Sequence, residues 1–516
     1  MDDLNRPLLS EDGVDPDALF GGRLARKQLE QQLVRKLDKR CAILVAIYVL
    51  NYIDRNNASA ARLHGFEQDL GLTDTQFSQV LAVLYAGYLL MQIPSNMFLN
   101  YIGRPSIYLP GCMVLWGTLS ALTGFATNFA SVMWTRFFIG ITEAAFFPCV
   151  ATNALMVGGS NTIQWGIGEL SSGTFATMSN QLRVPDFEVV YPQGPFCHAG
   201  RSLAMRLEWV SFSEFGAVSD PPAFKSLIAS GILDVMDGRI GYAAWRWLFF
   251  IEGGMTVAVA ILAMFILPDF PENSSNWLSV PEQTLAQRRM VEDSGESKLG
   301  SESVIGGLTM AIWDWQVWWL ALALTFVVLS LSFNAYFPTL AETMGYGKTL
   351  TLLLCAPPWF VATIVGFAVS RHSDRVGERF WHITCPFLIG MVGFLLAMST
   401  MQPTIRYISL FFMASSYAGF IVYLSWISGT IRPASKRAVA LALINMISSL
   451  GNVFGSFIFP SSWGPSYRTS YSICMCASSV GILLSFVFRQ HLASLNAKQV
   501  RRELEEDEPQ GYRYLL

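Results

Sequence analysis

Two pairs of ionisable residues stand inside stretches that otherwise read as apolar: Asp54 with Arg55 in one, and Arg136 with Glu143 in another. A hydrocarbon layer tolerates such groups where they face a bundle interior or a water-filled cavity, and there they mark substrate, ion or proton paths. Carboxylates in a dry cavity can take up and release a proton. An arginine beside them can clamp a carboxylate through the two prongs of its guanidinium. Depth is consistent with one shared site. At about 1.5 Å per helical residue, Asp54 lies roughly 20 Å beyond Cys41 in a layer about 30 Å thick. Arg136 lies about 12 Å beyond Asn128, counted from the opposite face. Glu143 follows Arg136 by two helical turns on the same side. The four form a candidate ladder, with Asp54 and Glu143 as proton carriers. The competing reading is a set of salt bridges that only locks helices together, Arg136 being the partner of Asp54.

Other intramembrane polar groups read differently. Trp245-Arg246-Trp247 and Glu252 suggest an interfacial arginine among belt aromatics, with Glu252 as an interhelical partner. Trp313, Trp315, Trp318 and Trp319 read as the same belt. Tyr88, Gln92, Asn334, Tyr417, Asn445 and Asn452 fall on inward faces, where such groups commonly bond between helices. Of these, Tyr88, Gln92 and Asn445 are also candidates for substrate contact. The eight cysteines show neither metal-ligand nor disulfide spacing, and the five histidines form no H-E-x-x-H pair. Gly347-Lys348-Thr349 resembles the tail of a P-loop, but Glu342 stands where that motif needs glycine. No nucleophile, metal or cofactor constellation is present, so neither an enzyme nor a cofactor is expected. The net charge of −3 without a basic stripe gives no reason to expect nucleic acid.

The elements that position these residues are membrane helices. Of 516 residues, 52% are hydrophobic and 14% charged, against roughly 25% charged in soluble domains. Apolar windows near 20 residues long, enough to span the layer, fall near 41–60, 78–99, 105–126, 129–150, 243–267, 311–335, 350–370, 381–400, 405–428, 438–460 and 469–488. Lys and Arg gather in 1–40, at Arg288/Arg289, at Arg371/Arg375/Arg379, at Arg432/Lys436/Arg437 and after Arg489, which places both termini in the cytosol. Parity then requires 151–242 to cross the membrane an odd number of times, most simply once. That stretch is a poor span: its best window, 203–235, holds Arg206, Glu208, Glu214, Asp220, Pro221, Pro222 and Lys225. Each charge facing lipid at mid-depth would cost about 2.5–3.5 kcal/mol. The expectation is an all-α membrane protein of twelve transmembrane helices in two six-helix halves, with an aberrant fifth helix. Residues 1–40 and 490–516 form cytosolic tails. The halves are 41–267 and 309–489, joined by a cytosolic loop, 268–308, in which Ser279-Val280-Pro281-Glu282 has capping-box spacing before a short helix. Transporters built from repeats place their site at mid-membrane between such halves.

Several runs resemble one family. Asn51-Tyr52-Ile53-Asp54-Arg55-Asn56, Gln92-Ile93-Pro94-Ser95-Asn96, Ile102-Gly103-Arg104-Pro105, Arg136-Phe137-Phe138-Ile139-Gly140, Glu143-Ala144-Ala145-Phe146-Phe147-Pro148 and Ala244-Trp245-Arg246-Trp247 are similar to the anion:cation symporters of the major facilitator superfamily. The likeness is strongest to the fungal branch of allantoate, pantothenate and nicotinic acid permeases, and Ser461-Ser462-Trp463-Gly464-Pro465 looks most like the nicotinic acid permease group. The resemblance implies proton-coupled uptake of a small organic anion, a monocarboxylate or vitamin-like molecule, by alternating access. It implies a monomer in lipid, at the plasma membrane. It assigns protons to Asp54 and Glu143, and the anion or its gate to Arg55 and Arg136. Ser370–Arg379, with Asp374, Arg375, Gly377 and Arg379, is similar to the superfamily's cytoplasmic gate motif; in the first half only Gly103 and Arg104 remain, with Asn100 where an acid is usual. The family pattern fails over part of 151–226, as a retained intron or misread frame would make it. The alternative function is a non-transporting receptor, or a transporter inactivated by that segment.

Overall fold

The computed structural model describes residues 20, 22–102, 104–146, 221–269, 274, 277–293, 309–431, 434–506 and 513–516. Among these residues twelve principal helices follow one another, besides the short helix Phe66–Leu70 and a linker helix. The first six are α1 (Arg23–Arg62), α2 (Asp74–Ile102), α3 (Pro105–Thr123), α4 (Phe129–Glu143), α5 (Pro221–Val235) and α6 (Ala244–Ile266). A linker helix, Val280–Asp293, leads to α7 (Trp315–Glu342), α8 (Lys348–Val376), α9 (Phe380–Ser399), α10 (Pro403–Thr430), α11 (Ala434–Gly455) and α12 (Arg468–Glu506). Seven of them, α3, α6, α7, α8, α9, α10 and α12, are long and apolar enough to cross a membrane by length and composition, and α11 adds a shorter apolar stretch, Val439–Gly455. Most of the anomalous segment, 151–220, lies outside the described residues.

Within the first half, α2 packs on α4, α3 on α6 and α4, and α1 on α6; in the second, α7 packs on α11 and α12, and α9 on α10 and α12. Lipid offers no hydrophobic drive between helices, so close backbone approach through small residues carries the packing. A Cβ on Gly140 would lie 1.9 Å from the Leu84 carbonyl oxygen, and one on Gly87 would lie 2.3 Å from that of Phe137, so α2 and α4 meet backbone to backbone. Gly253 and Gly117 join α6 to α3 in the same way, with a 2.5 Å approach. The halves meet along α5 with α8, α2 with α11, and α1 with α7.

Helix ends are fixed by side chains. Asn128 and Ser131 form a reciprocal capping box at the start of α4, and Thr73 and Gln76 exchange bonds ahead of α2. The expected cap at Ser279 and Glu282 forms, with the Ser279 N–H and hydroxyl both donating to Glu282 at 2.9 Å. Glu282 also receives Lys36 at 2.7 Å, which ties the linker helix back to α1. The helix α1 therefore continues through much of the stretch read from sequence as a tail, as α12 does beyond 489. Among the expected belt residues, Trp313, Trp315 and Trp318 are exposed. Trp245 is not a belt residue: it is fully buried and donates its indole N–H to Asp69 at 2.7 Å.

Candidate transport site

The four ladder residues meet, in pairings the sequence did not specify. Arg55 donates from Nε to Glu143 at 2.9 Å, and its Nη2 lies 2.9 Å from the same oxygen. Its guanidinium stands 4.9 Å from the Tyr88 ring centre. Arg136, only 1% exposed, makes no hydrogen bond to the Asp54 carboxylate. It donates to the backbone carbonyls of Asp54 and Arg55 at 3.2 and 3.4 Å and to Asn57 Oδ1 at 2.5 Å. The Asp54 carboxylate instead accepts from the hydroxyls of Ser120 at 2.9 Å and Thr256 at 2.7 Å. Asp54 thus binds α1 to α3 and α6, while Arg136 binds α4 to the backbone of α1. Asp54, Glu143 and Arg136 are all fully buried.

Sequence reasoning left Ser120, Thr256 and Asn57 out of the site. The available signal was spacing. Asn57 follows Asp54 by three residues and Thr256 follows Glu252 by four, so each pair shares a helix face. Glu252, read as an interhelical partner, is buried with neither carboxylate oxygen hydrogen-bonded. It lies within the field of Asp54, Lys225 and Arg136, beside Asn57.

The other candidates lie between the halves. Tyr88 on α2 accepts from Asn445 on α11 at 3.4 Å. Gln92 is buried one turn along α2, its Oε1 without a partner. Asn334, treated as interhelical glue, donates to Tyr52 at 2.6 Å across the α1–α7 seam. Toward the face where α1 ends and α2 begins, the distal face, Asp74 accepts from Arg62 at 3.0 Å and from the Ser461 N–H at 3.2 Å. Thr349 donates to Asp234 there at 3.0 Å. These last bonds join the two halves at that face.

On the opposite face, the gate-like loop between α8 and α9 is ordered by Arg379, which pairs with Asp374 at 2.6 Å and donates to Ser373 at 3.0 Å. Gly377 takes φ 71° to end α8, a left-handed conformation that favours glycine. Arg375 is exposed. Residues Arg513–Leu516 lie against this loop, where the Leu516 carbonyl accepts from the Arg379 N–H at 2.7 Å and the Leu515 carbonyl from Trp426 at 2.9 Å. In the first half Arg104 is exposed at the start of α3, and Gly103 lies outside the described residues. Among the described residues no cluster of His, Cys, Asp and Glu could hold a metal ion.

Comparison with known proteins agrees with this architecture. The MFS-type transporter cnsO of Penicillium expansum is 27% identical over 468 residues, covering 88% of this chain and 82% of its own. A putative tartrate transporter of Agrobacterium vitis is 26% identical, covering 84% of this chain and 88% of its own. In solved structures, a bacterial homolog of the human lysosomal transporter Spinster, inward-facing and occupied, superposes with TM-score 0.58 at 17% identity, covering 87% and 97% of the two chains. The xylose transporter XylE from E. coli, partially occluded and inward open, gives 0.60 at 13%, covering 88% and 99%. The Major Facilitator Superfamily family model matches residues 44–157 and 210–456, skipping 158–209 within the anomalous segment. Helix order, packing and a match over more than half of the sequence make this chain a member of the Major Facilitator Superfamily, a multi-pass membrane transporter and not an enzyme.

Proposed function

We propose that the chain takes up a small organic anion together with protons, by alternating access, in the manner of the anion:cation symporters and their nicotinic acid permease branch. The observation that carries this reading is the cluster of Asp54, Arg55, Arg136 and Glu143, in which the two acids and Arg136 are fully buried, and which brings proton-accepting and anion-attracting groups together between α1 and α4. Asp54 and Glu143 carry the protons. Arg55, released from Glu143 when that acid is protonated, and Arg136 act on the anion or its gate, with Tyr88, Gln92 and Asn445 lining the path. The bonds joining the halves at the distal face fit the state open toward the linker side. In this reading both termini and the linker 268–308 are cytosolic, the chain works as a monomer in the plasma membrane, and the substrate is a nicotinate-type monocarboxylate. The putative tartrate transporters among the relatives add hydroxy-dicarboxylates to the substrates worth testing.

The test is uptake of radiolabelled nicotinate, and of tartrate in parallel, by cells expressing the chain at pH 5 and pH 7.5, with and without a protonophore. Faster uptake at pH 5 that the protonophore abolishes is the expected result. Absence of uptake for both anions would favour the second reading, a receptor or inactive transporter, which the break in the family match at 158–209 supports. Repeating the assay after excising 158–209 decides between them. Uptake gained on excision identifies the segment as the lesion, and a transcript lacking it would identify retained intron.

A further inference from the structure

Three cations share the depth of the buried cluster, and two are already committed. Arg55 is spent on Glu143, and both prongs of Arg136 are spent on α1 carbonyls and Asn57. The third is Lys225 on α5, 5% exposed. Among the described residues its ammonium has neither hydrogen bond nor ion pair. The charged or ionisable groups whose fields reach it are Glu252 on α6, Cys355 on α8 and Arg136 on α4. Their depths agree. Lys225 lies ten residues from the distal end of α5, Glu252 eight from that of α6 and Cys355 seven from that of α8, so all fall roughly 10–15 Å below the distal face. Because α5 packs on α8, Lys225 stands where the halves meet.

An ammonium at this depth is costly unless it is paired, and intramembrane cations ordinarily are. The acid whose field acts on it, Glu252, does not supply that pair. Glu252 is 1% exposed and both of its oxygens lack hydrogen bonds. No ion pair joins it to Lys225, although both residues are described. The Asn57 amide bears on Glu252 at close range, but its nitrogen completes no hydrogen bond of normal geometry. Lys225 and Glu252 thus lie at one depth on packed helices, α5 and α6, with no ion pair between them, an arrangement that a third group could bridge. A carboxylate entering between them would take a charge-assisted hydrogen bond from Lys225. It would be repelled by Glu252 unless that acid carried a proton, and a protonated Glu252 could then donate to it.

We infer that Lys225 anchors the carboxylate of the transported anion, with Glu252 opposite it as the acid that holds a proton while the anion is bound. This rests on the organic-anion reading above and changes which cation meets the substrate: the arginines organise α1 and α4, and the lysine of α5 makes the contact. Lys225 lies inside the stretch 210–456 that the family model matches, beyond the interruption. The groups facing Glu252 are Asp54 and Asn57 from α1, Arg136 from α4 and Lys225 from α5. Its proton is therefore exchanged under the influence of all four.

The test uses the purified full-length chain in nanodiscs, with thermal unfolding titrated by nicotinate, tartrate and nicotinamide, the neutral counterpart of nicotinate. In the wild type, nicotinate or tartrate should raise the melting temperature at pH 5, less at pH 7.5, while nicotinamide does nothing. K225M should weaken the anion's apparent affinity at least tenfold without lowering the melting temperature of the ligand-free protein. K225R should retain most of the affinity, and E252Q should bind the anion as well at pH 7.5 as at pH 5. Unchanged anion affinity in K225M overturns the inference. A ligand-free K225M that melts earlier and is restored in K225M/E252Q also overturns it, by showing a structural ion pair. A wild type stabilised by neither anion refutes the organic-anion reading itself, and that result is distinct from both.

Discussion

The closest helix contact in the site's scaffold gives the sharpest mechanical prediction. Gly140 lies one turn beyond Arg136 and three residues before Glu143 on α4, and it faces α2 at Leu84 and Tyr88. Adding a methyl group in G140A would put Cβ 1.9 Å from the Leu84 carbonyl oxygen, whereas ordinary contact begins at 3.4 Å. Backbone sits on the other side of the contact, so no side chain can swing clear. The helices must part by about 1.5 Å, since repulsion rises steeply inside the contact distance. Overpacking of this kind costs about 1–3 kcal/mol of stability. The functional loss should be larger, because Arg136 holds the α1 carbonyls at 3.2 and 3.4 Å and a shift of that size breaks both bonds. It also withdraws Glu143 from Arg55. A misplacement of about 1 Å at a reacting or binding group can cost roughly 100-fold in rate, and we expect that order of loss. The assay pairs initial uptake rate with the melting temperature of the purified variant. G231A and G254A, whose added methyls would meet nothing within 4 Å, serve as controls and should leave folding intact. A G140A protein with wild-type melting temperature and uptake within threefold of wild type would refute the argument that this contact positions the charged cluster.

Two other perturbations address the faces of the molecule. Linking D234C to T349C with a short bifunctional thiosulfonate, at the site of the 3.0 Å contact between α5 and α8, should stop uptake, and reduction should restore it; continued transport by the linked protein would show that this seam does not open. At the linker, burial pushes the Glu282 carboxyl up, but bonds from Lys36 and from the Ser279 N–H and hydroxyl pull it further down, below the ordinary glutamate value of 4.5. A depressed folded-state value means that the clamp's stability is complete above the unfolded value and is lost as pH falls through the folded one. Hydrogen exchange in Val280–Asp293, corrected for intrinsic rates, should thus hold steady from pH 7 to pH 5 and accelerate only once the pH falls below the ordinary glutamate value of 4.5. E282Q should exchange fast throughout, and equal protection in that variant would dismiss the clamp.

That the charged residues face an interior was legible in the sequence, because lipid confines charge to interior faces. Partner choice was not. It depends on how far each helix is rotated about its axis, which packing fixes through contacts such as Gly140 against Leu84. A ladder drawn from depth alone sets Arg136 against the Asp54 carboxylate, yet the fold gives that carboxylate two hydroxyls and sends Arg136 to the backbone. Trp245 misled for a related reason: tryptophan near a helix end reads as belt, but its indole N–H finds Asp69 ahead of α2, and the ring is buried. The polar stretch before residue 41 reads as tail by composition, whereas the Lys36–Glu282 pair holds it as a continuation of α1.

The partner assignments constrain how a proton and an anion could be coupled. With Arg55 paired to Glu143, the arginine is withheld from any substrate for as long as the acid is charged. Protonating Glu143 removes the attraction, and the guanidinium is then held chiefly by the faces of Tyr88 and Tyr85, at 4.9 and 5.9 Å. Tyr88 is itself bonded to Asn445 of the other half, so a change in Glu143 is felt at the α2–α11 seam within two contacts. Asp54 acts on a different seam, through Ser120 and Thr256 within the first half, and loss of its charge would loosen α1 from α3 and α6. The two acids therefore have separable consequences. E143Q should alter the movement of one half against the other, and D54N the internal packing of the first half. Spin-label distances across α2–α11 and across α1–α6 would distinguish them, and equal shifts at both seams in both variants would show that the acids work as a single unit.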